Sequence, residues 1–186
     1  MANVPDHDAA TLVALETAIE ALPPLTRVVF LLHRVDDLSY DVIARRLSIC
    51  IPAVEAGLAD ALYRLSCTLD GVRSEGAMRE PLAEANALLR KRYRHYCEGW
   101  LRALGINRPV PWDDDDDEAT VMRAMLLSMP PTVAQTFILN RVENLTYVQI
   151  ARWMGTFRWG VRGRMLCGIH HVAQRPMSFE QWLRDI

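Results

Sequence analysis

Residues 21–65 read ALPPLTRVVFLLHRVDDLSYDVIARRLSICIPAVEAGLADALYRL, and residues 128–172 read SMPPTVAQTFILNRVENLTYVQIARWMGTFRWGVRGRMLCGIHHV. The two align without a gap at an offset of 107, with 12 of 45 positions identical. Pro23/Pro130, Pro24/Pro131, Phe30/Phe137, Arg34/Arg141, Leu38/Leu145, Tyr40/Tyr147, Ile43/Ile150, Ala44/Ala151 and Val54/Val161 are among them. A gapless internal repeat fixes the architecture before any single motif is weighed, because both copies must build the same supersecondary unit.

Each copy opens on a Pro-Pro pair, which cannot sit inside a helix and ends whatever precedes it. A helical apolar pattern follows (Val28, Val29, Leu31, Leu32 and Val35; Thr136, Phe137, Leu139 and Val142), then a polar break. Ser39 or Thr146 is placed to cap the next helix. That helix puts Tyr40, Ile43, Ala44 and Leu47, or Tyr147, Ile150, Ala151 and Met154, on one face. A tight turn leads to a last helix whose inner side is Val54, Leu58 and Leu62, or Val161, Met165 and Ile169. Two short helices around a tight turn are the DNA-binding helix-turn-helix unit. Residues 10–21 and 118–128 would supply the preceding helix of each bundle.

The pattern PP-x(5)-F-x-L-x-R-V-x-x-L-S/T-Y-x-x-I-A, followed by a turn and an x-A/G-V helix, resembles region 4 of sigma-70 family factors, especially the extracytoplasmic-function type. In that family this region recognises the upstream promoter element and touches RNA polymerase. The resemblance covers the two 45-residue blocks, about half the chain. It implies a tandem of region-4-like modules without the sigma region 2 domain that melts the promoter. The expected division is 8–72 for the first module, 73–112 for a connecting amphipathic helix with a Pro-rich linker, and 113–186 for the second module.

The chain carries 21 basic residues against 23 acidic ones, a net charge of −2. Taken whole, that balance argues against a nucleic-acid binder, but the copies differ. Arg27, Arg34, Arg45, Arg46 and Arg64 are matched by Asp36, Asp37, Asp41, Glu55 and Asp60, so the first copy is neutral. In the second, Arg141, Arg152, Arg158, Arg162 and Arg164, with Arg175 just beyond, face Glu143 alone, giving +5. The family pattern places its basic readers at the first, third and sixth positions after the valine of the last helix. In the second copy these are Arg162, Arg164 and Cys167, with Arg158 and Trp159 at the helix start. In the first they are Glu55, Gly57 and Asp60. A carboxylate facing DNA meets one phosphate charge per about 1.7 Å of helix axis and is repelled.

The DNA-binding residues expected from this are therefore Arg152, Arg158, Trp159, Arg162 and Arg164; the plainer reading is a solvated face in an arginine-rich chain. Gly160, Gly163 and Gly168 each cost about 1 kcal/mol relative to alanine in a helix interior, which predicts a last helix ordered only when docked. Trp159 would stack on a base, fill a partner's pocket or cover the core.

Residues 81–104 form an amphipathic helix with Leu82, Ala85, Leu89, Tyr93, Tyr96, Trp100 and Leu104 on its apolar side and a basic flank of Arg90, Lys91, Arg92, Arg94 and His95. Either it packs on the modules or its arginines grip phosphate or polymerase. Glu55, Asp60, Arg90, Arg92 and Arg94 are the candidate partner-binding residues. The motif Trp100-Leu101-Arg102 recurs as Trp182-Leu183-Arg184, suggesting that each module ends in a clamp helix burying a tryptophan. The run DDDDD at 113–117 is a solvated linker whose last members favour a helix N-terminus, or a DNA-mimicking strip shielding the second copy.

No apolar run approaches the ~20 residues of a membrane span, and no signal peptide is visible. The scattered Cys50, Cys67, Cys97 and Cys167 read as reduced, partly buried thiols of a cytoplasmic protein, not as a disulfide frame or zinc site. His170 and His171 lack ligand-spaced partners, and there is no phosphate loop or nucleophile elbow. Neither catalytic residues, metal ligands nor a cofactor are expected, and the chain does not read as an enzyme. The expected fold is all-α: two helix-turn-helix modules joined by a long amphipathic helix and an acidic linker. The expected role is transcription regulation on double-stranded promoter DNA, mainly through the second module, with the first contacting RNA polymerase, a partner or another copy of the protein. The alternative is a sigma mimic that binds only protein, an anti-sigma factor or the polymerase. The sequence leaves the oligomeric state open.

Overall fold

The computed structural model describes residues 7–72, 79–113 and 116–186. These form ten helices and, among the described residues, no strand, so the chain is all-α. They divide into two compact units: residues 1–92 with 179–186, and residues 93–178.

Unit 1 holds α1 (His7–Glu20), α2 (Pro24–Arg34), α3 (Tyr40–Leu47), α4 (Ile51–Leu69), the first half of α5 (Glu80–Ala103) and α10 (Phe179–Asp185). Pro24 opens α2 at a position where a missing N–H costs no helical bond, with Pro23 as its cap. Leu25, Val28, Val29, Ile43, Leu47 and Val54 are wholly or almost wholly buried, as the helical spacing of the repeat requires. Gly57 of α4 is buried in the same core; a Cβ there would lie 3.3 Å from Val29 Cγ1, so a small residue sets how closely α4 approaches α2.

Unit 2 holds the second half of α5 with α6 (Asp117–Ser128), α7 (Pro131–Arg141), α8 (Tyr147–Trp153) and α9 (Arg158–Ala173). Ile150, Ala151, Val161 and Met165 form its central cluster, with Phe137 and Leu139 packed against it. The start of α6 is tied down twice. Asp116 caps it by accepting from the Ala119 amide at 2.8 Å, and the buried Asp117 takes a 2.6 Å hydrogen bond from Arg94 Nε. Of the acidic run, Asp114 and Asp115 lie outside the described residues.

Helices α7, α8 and α9 begin 107 residues after α2, α3 and α4. The irregular backbone follows the same register. Asp37 and Asn144 have φ of 52° and 54°, and Ser48 and Gly155 have 52° and 60°, all in the left-handed region. The break after the first helix of each set is closed alike: His33 Nδ1 donates to the Leu38 carbonyl at 3.0 Å, and Asn140 Nδ2 to the Leu145 carbonyl at 2.9 Å.

The caps differ. Thr146 and Gln149 make a reciprocal capping box on α8, whereas the Ser39 hydroxyl turns to the Asp41 carboxylate and caps nothing on α3. Thr146→Ala is therefore expected to lower stability by about 1 kcal/mol and Ser39→Ala by much less, as chemical denaturation of the two variants would read.

Three sequence expectations change. First, α9 runs unbroken through its glycines, and Gly168 has a packing reason: a Cβ there would lie 2.9 Å from the Phe137 ring. Second, the buried side of α5 continues from Tyr93 through Cys97 and Leu101, not through Tyr96 and Trp100. Counting aromatics as core misplaced the stripe, since Trp100 reaches outward to donate its indole N–H to the Gln174 carbonyl at 2.7 Å. Third, Trp182 and Leu183 are buried, but α10 belongs to unit 1 rather than closing the second repeat.

Candidate nucleic-acid interface

In unit 2, α8, the turn at 154–157 and the first turns of α9 bring most of the expected readers together. Arg152 on α8 and Arg158, Trp159 and Arg162 on α9 are exposed. Arg158 and Arg162 are one helical turn apart on the same face. None of Arg152, Arg158 and Arg162 has an ion-pair or hydrogen-bond partner among the described residues. Arg164 is set apart: it lies about half a turn from Arg162, is half-buried, and donates to the Met154 sulfur at 3.7 Å.

Two further residues carry this surface that the sequence reading passed over. Phe157 caps the N-terminal end of α9 and stacks on Trp159 with ring centres 6.0 Å apart and planes 6° apart. Both rings are open to solvent, at 71% and 76% exposure, and Trp153 on α8 is also exposed. The signal for Phe157 was its alignment with Cys50 of the first copy: an aromatic ring at a turn with no core to fill.

The corresponding surface of unit 1 is built differently. Arg45, the counterpart of Arg152, is held at 2.9 Å by Asp41, whose place in the second copy is taken by Val148. The Asp41 carboxyl is held below its usual value, first by the Ser39 hydroxyl donating at 2.5 Å and then by the Arg45 guanidinium. Glu55 is exposed on α4. Asp60 does not face outward: it accepts from Thr26 Oγ1 at 3.1 Å and from Arg64 Nε at 2.8 Å. An anchor inside the α2–α4 contact, it offers little to a partner.

The α5 arginines do not form an outward strip. In unit 1, Arg90 lies 5.0 Å over the Phe179 ring and Arg92 reaches the Leu47 and Ser48 carbonyls at 3.5 Å. In unit 2, Arg94 is committed to Asp117 and lies 5.7 Å over the Trp112 ring.

Among the described residues little else suggests chemistry. Burial pushes the Cys97 thiol up to about 11, keeping it protonated and unreactive. No group of three His, Cys, Asp or Glu side chains among the described residues is placed to hold a metal ion. No helix among them is long and apolar enough to cross a membrane.

Residues 12–65 match the family model of sigma-70, region 4. The match covers under a third of the chain and supports one sigma-70 region 4 helix-turn-helix, running from α1 through most of α4 in unit 1. For that segment the match supports a sigma-factor-like part in DNA binding or RNA polymerase contact. No curated protein and no solved structure matches the chain.

Proposed function

We propose that the protein is a cytoplasmic, non-enzymatic regulator of transcription built from two region-4-like helix-turn-helix modules of the extracytoplasmic-function type. The second module binds double-stranded promoter DNA, and the first contacts RNA polymerase or another protein. The observation that carries this reading is the state of the arginines. In unit 1, Arg27, Arg45 and Arg64 are spent on Glu180, Asp41 and Asp60. In unit 2, Arg152, Arg158 and Arg162 stand exposed without such partners among the described residues. Unpaired guanidiniums cost little to bring to phosphate, because no internal bond is given up. The 107-residue register of helix starts and left-handed residues supports treating α7–α9 as a second module. Trp159 beside Arg158 and Arg162 would read or wedge against bases.

The rival, a sigma mimic that binds only protein, is favoured by the position of the family match. It falls on the neutral copy, whose last helix carries Glu55 and Asp60 against Arg64 alone. Selection of bound fragments from a mixed genomic duplex library separates the two. Enrichment of a defined sequence is expected, with log affinity falling against log salt by about 0.9 per phosphate contact. No enrichment, with the protein inert to DNA at low salt, would overturn the DNA-binding reading and turn the search to protein partners.

A further inference from the structure

Helix α10 occupies a particular face of unit 1. Glu180 pairs with Arg27 of α2 at 2.9 Å, and Arg46 of α3 donates to the Arg184 carbonyl. Leu183 is fully buried, and the Phe179 ring receives Arg90 from α5. An amphipathic helix thus lies on α2 and reaches the end of α3. In unit 2 the corresponding face is open. A groove of about 640 Å³ is lined there by Pro131, Ala134, Gln135, Ile138, Leu139 and Trp153. Ala134 and Trp153 stand 107 residues after Arg27 and Arg46, the two arginines that hold α10. The chain therefore has one such face filled by its own helix and one without the side chains that would fix that helix.

We propose that α10 is an autoinhibitory plug: it fills in cis a helix-docking face of unit 1, and an amphipathic helix of another protein must displace it to bind there. This rests on the two-module reading. The recognition mode is a helix laid in a groove, anchored here by the buried Phe179, Trp182 and Leu183 and by the Glu180–Arg27 ion pair. A tethered segment competes at an effective concentration on the order of millimolar, so with α10 itself binding the open face at about 0.1 mM, any competing helix is held back roughly tenfold. The anchors also set the chemistry of the displacing helix. It needs a large aliphatic residue at the Leu183 position and an acidic residue one turn earlier to meet Arg27.

The test uses the full chain and a fluorescent peptide of residues 176–186, followed by anisotropy. Leu183→Asp places a carboxylate where the leucine is buried and unseats α10. This variant is expected to bind the peptide at least tenfold more tightly than the wild type. Adding Arg27→Glu should remove the gain, and a peptide carrying Glu180→Lys should restore it. Equal binding by wild type and Leu183→Asp, or a gain indifferent to Arg27, would overturn the proposal. The assay contains no DNA, so failure of the DNA-binding reading and failure of the plug are seen separately.

Discussion

The double variant Arg158→Glu/Arg162→Glu is expected to bind duplex DNA about a hundredfold more weakly than the wild type at low salt, with its thermal unfolding unchanged. Each substitution removes a cation that neutralises a phosphate and installs an anion that repels one, so the loss per site exceeds that of a simple truncation. Anisotropy titrations across about 50–200 mM salt would show the slope of log affinity against log salt shallower by about 2, one unit per lost contact. Stability should hold because both side chains are exposed and neither has a partner among the described residues to lose. Arg164→Ala provides the contrast: it should disturb the α8–α9 contact through Met154 more than it disturbs DNA binding. If the charge-reversed protein bound DNA as well as the wild type, α9 would not be the reading helix.

Replacing Asp117 with alanine should destabilise unit 2 by about 3 kcal/mol, lowering its melting temperature by about 10–20 °C. The carboxylate is 1% exposed and 2.6 Å from Arg94 Nε, while the arginine is 22% exposed and stacked toward Trp112. Removing the anion leaves a half-buried cation with weak hydration. The exposure of Arg94 keeps the expected loss at the lower end of what breaking a buried pair costs. The same carboxylate sits in the first turn of α6, where negative charge is favoured by the helix dipole, so Asp117→Asn should lose less than alanine but still lose stability. Differential scanning calorimetry of both variants checks the order; a melting temperature within about 2 °C of wild type for alanine would show the pair to be energetically idle.

Where periodicity and repeat register spoke together, the sequence was a close guide to the fold. The Pro-Pro pairs marked the starts of α2 and α7, and the preceding helices expected near residues 10 and 118 are α1 and α6. The apolar phase of α5 was misread at its far end, where Tyr96 and Trp100 were placed on the apolar side and Cys97 was left off it. Cys97 is buried while Trp100 spends its indole on a backbone carbonyl. Charge was harder still. Asp60 and Arg94 have the composition of an interface, yet both are consumed by internal partners far away in sequence or on another helix. A sequence without an alignment shows which residues are charged, not which charges are already answered. Pairing within a helix was legible in principle: Asp41 and Arg45 are four apart, and the loss of that aspartate in the second copy is visible in the alignment.

Unit 1 closes with a helix encoded after the whole of unit 2. During synthesis at about 5–20 residues per second, roughly 5–20 s separate the emergence of Arg92 from that of α10. Throughout that interval unit 1 exists as a nascent bundle in which Arg27 and Arg46 lack their α10 partners, while unit 2 is still being made and is complete only as α10 follows it. The order of translation therefore gives an early window in which the first module can be captured before its own chain covers it.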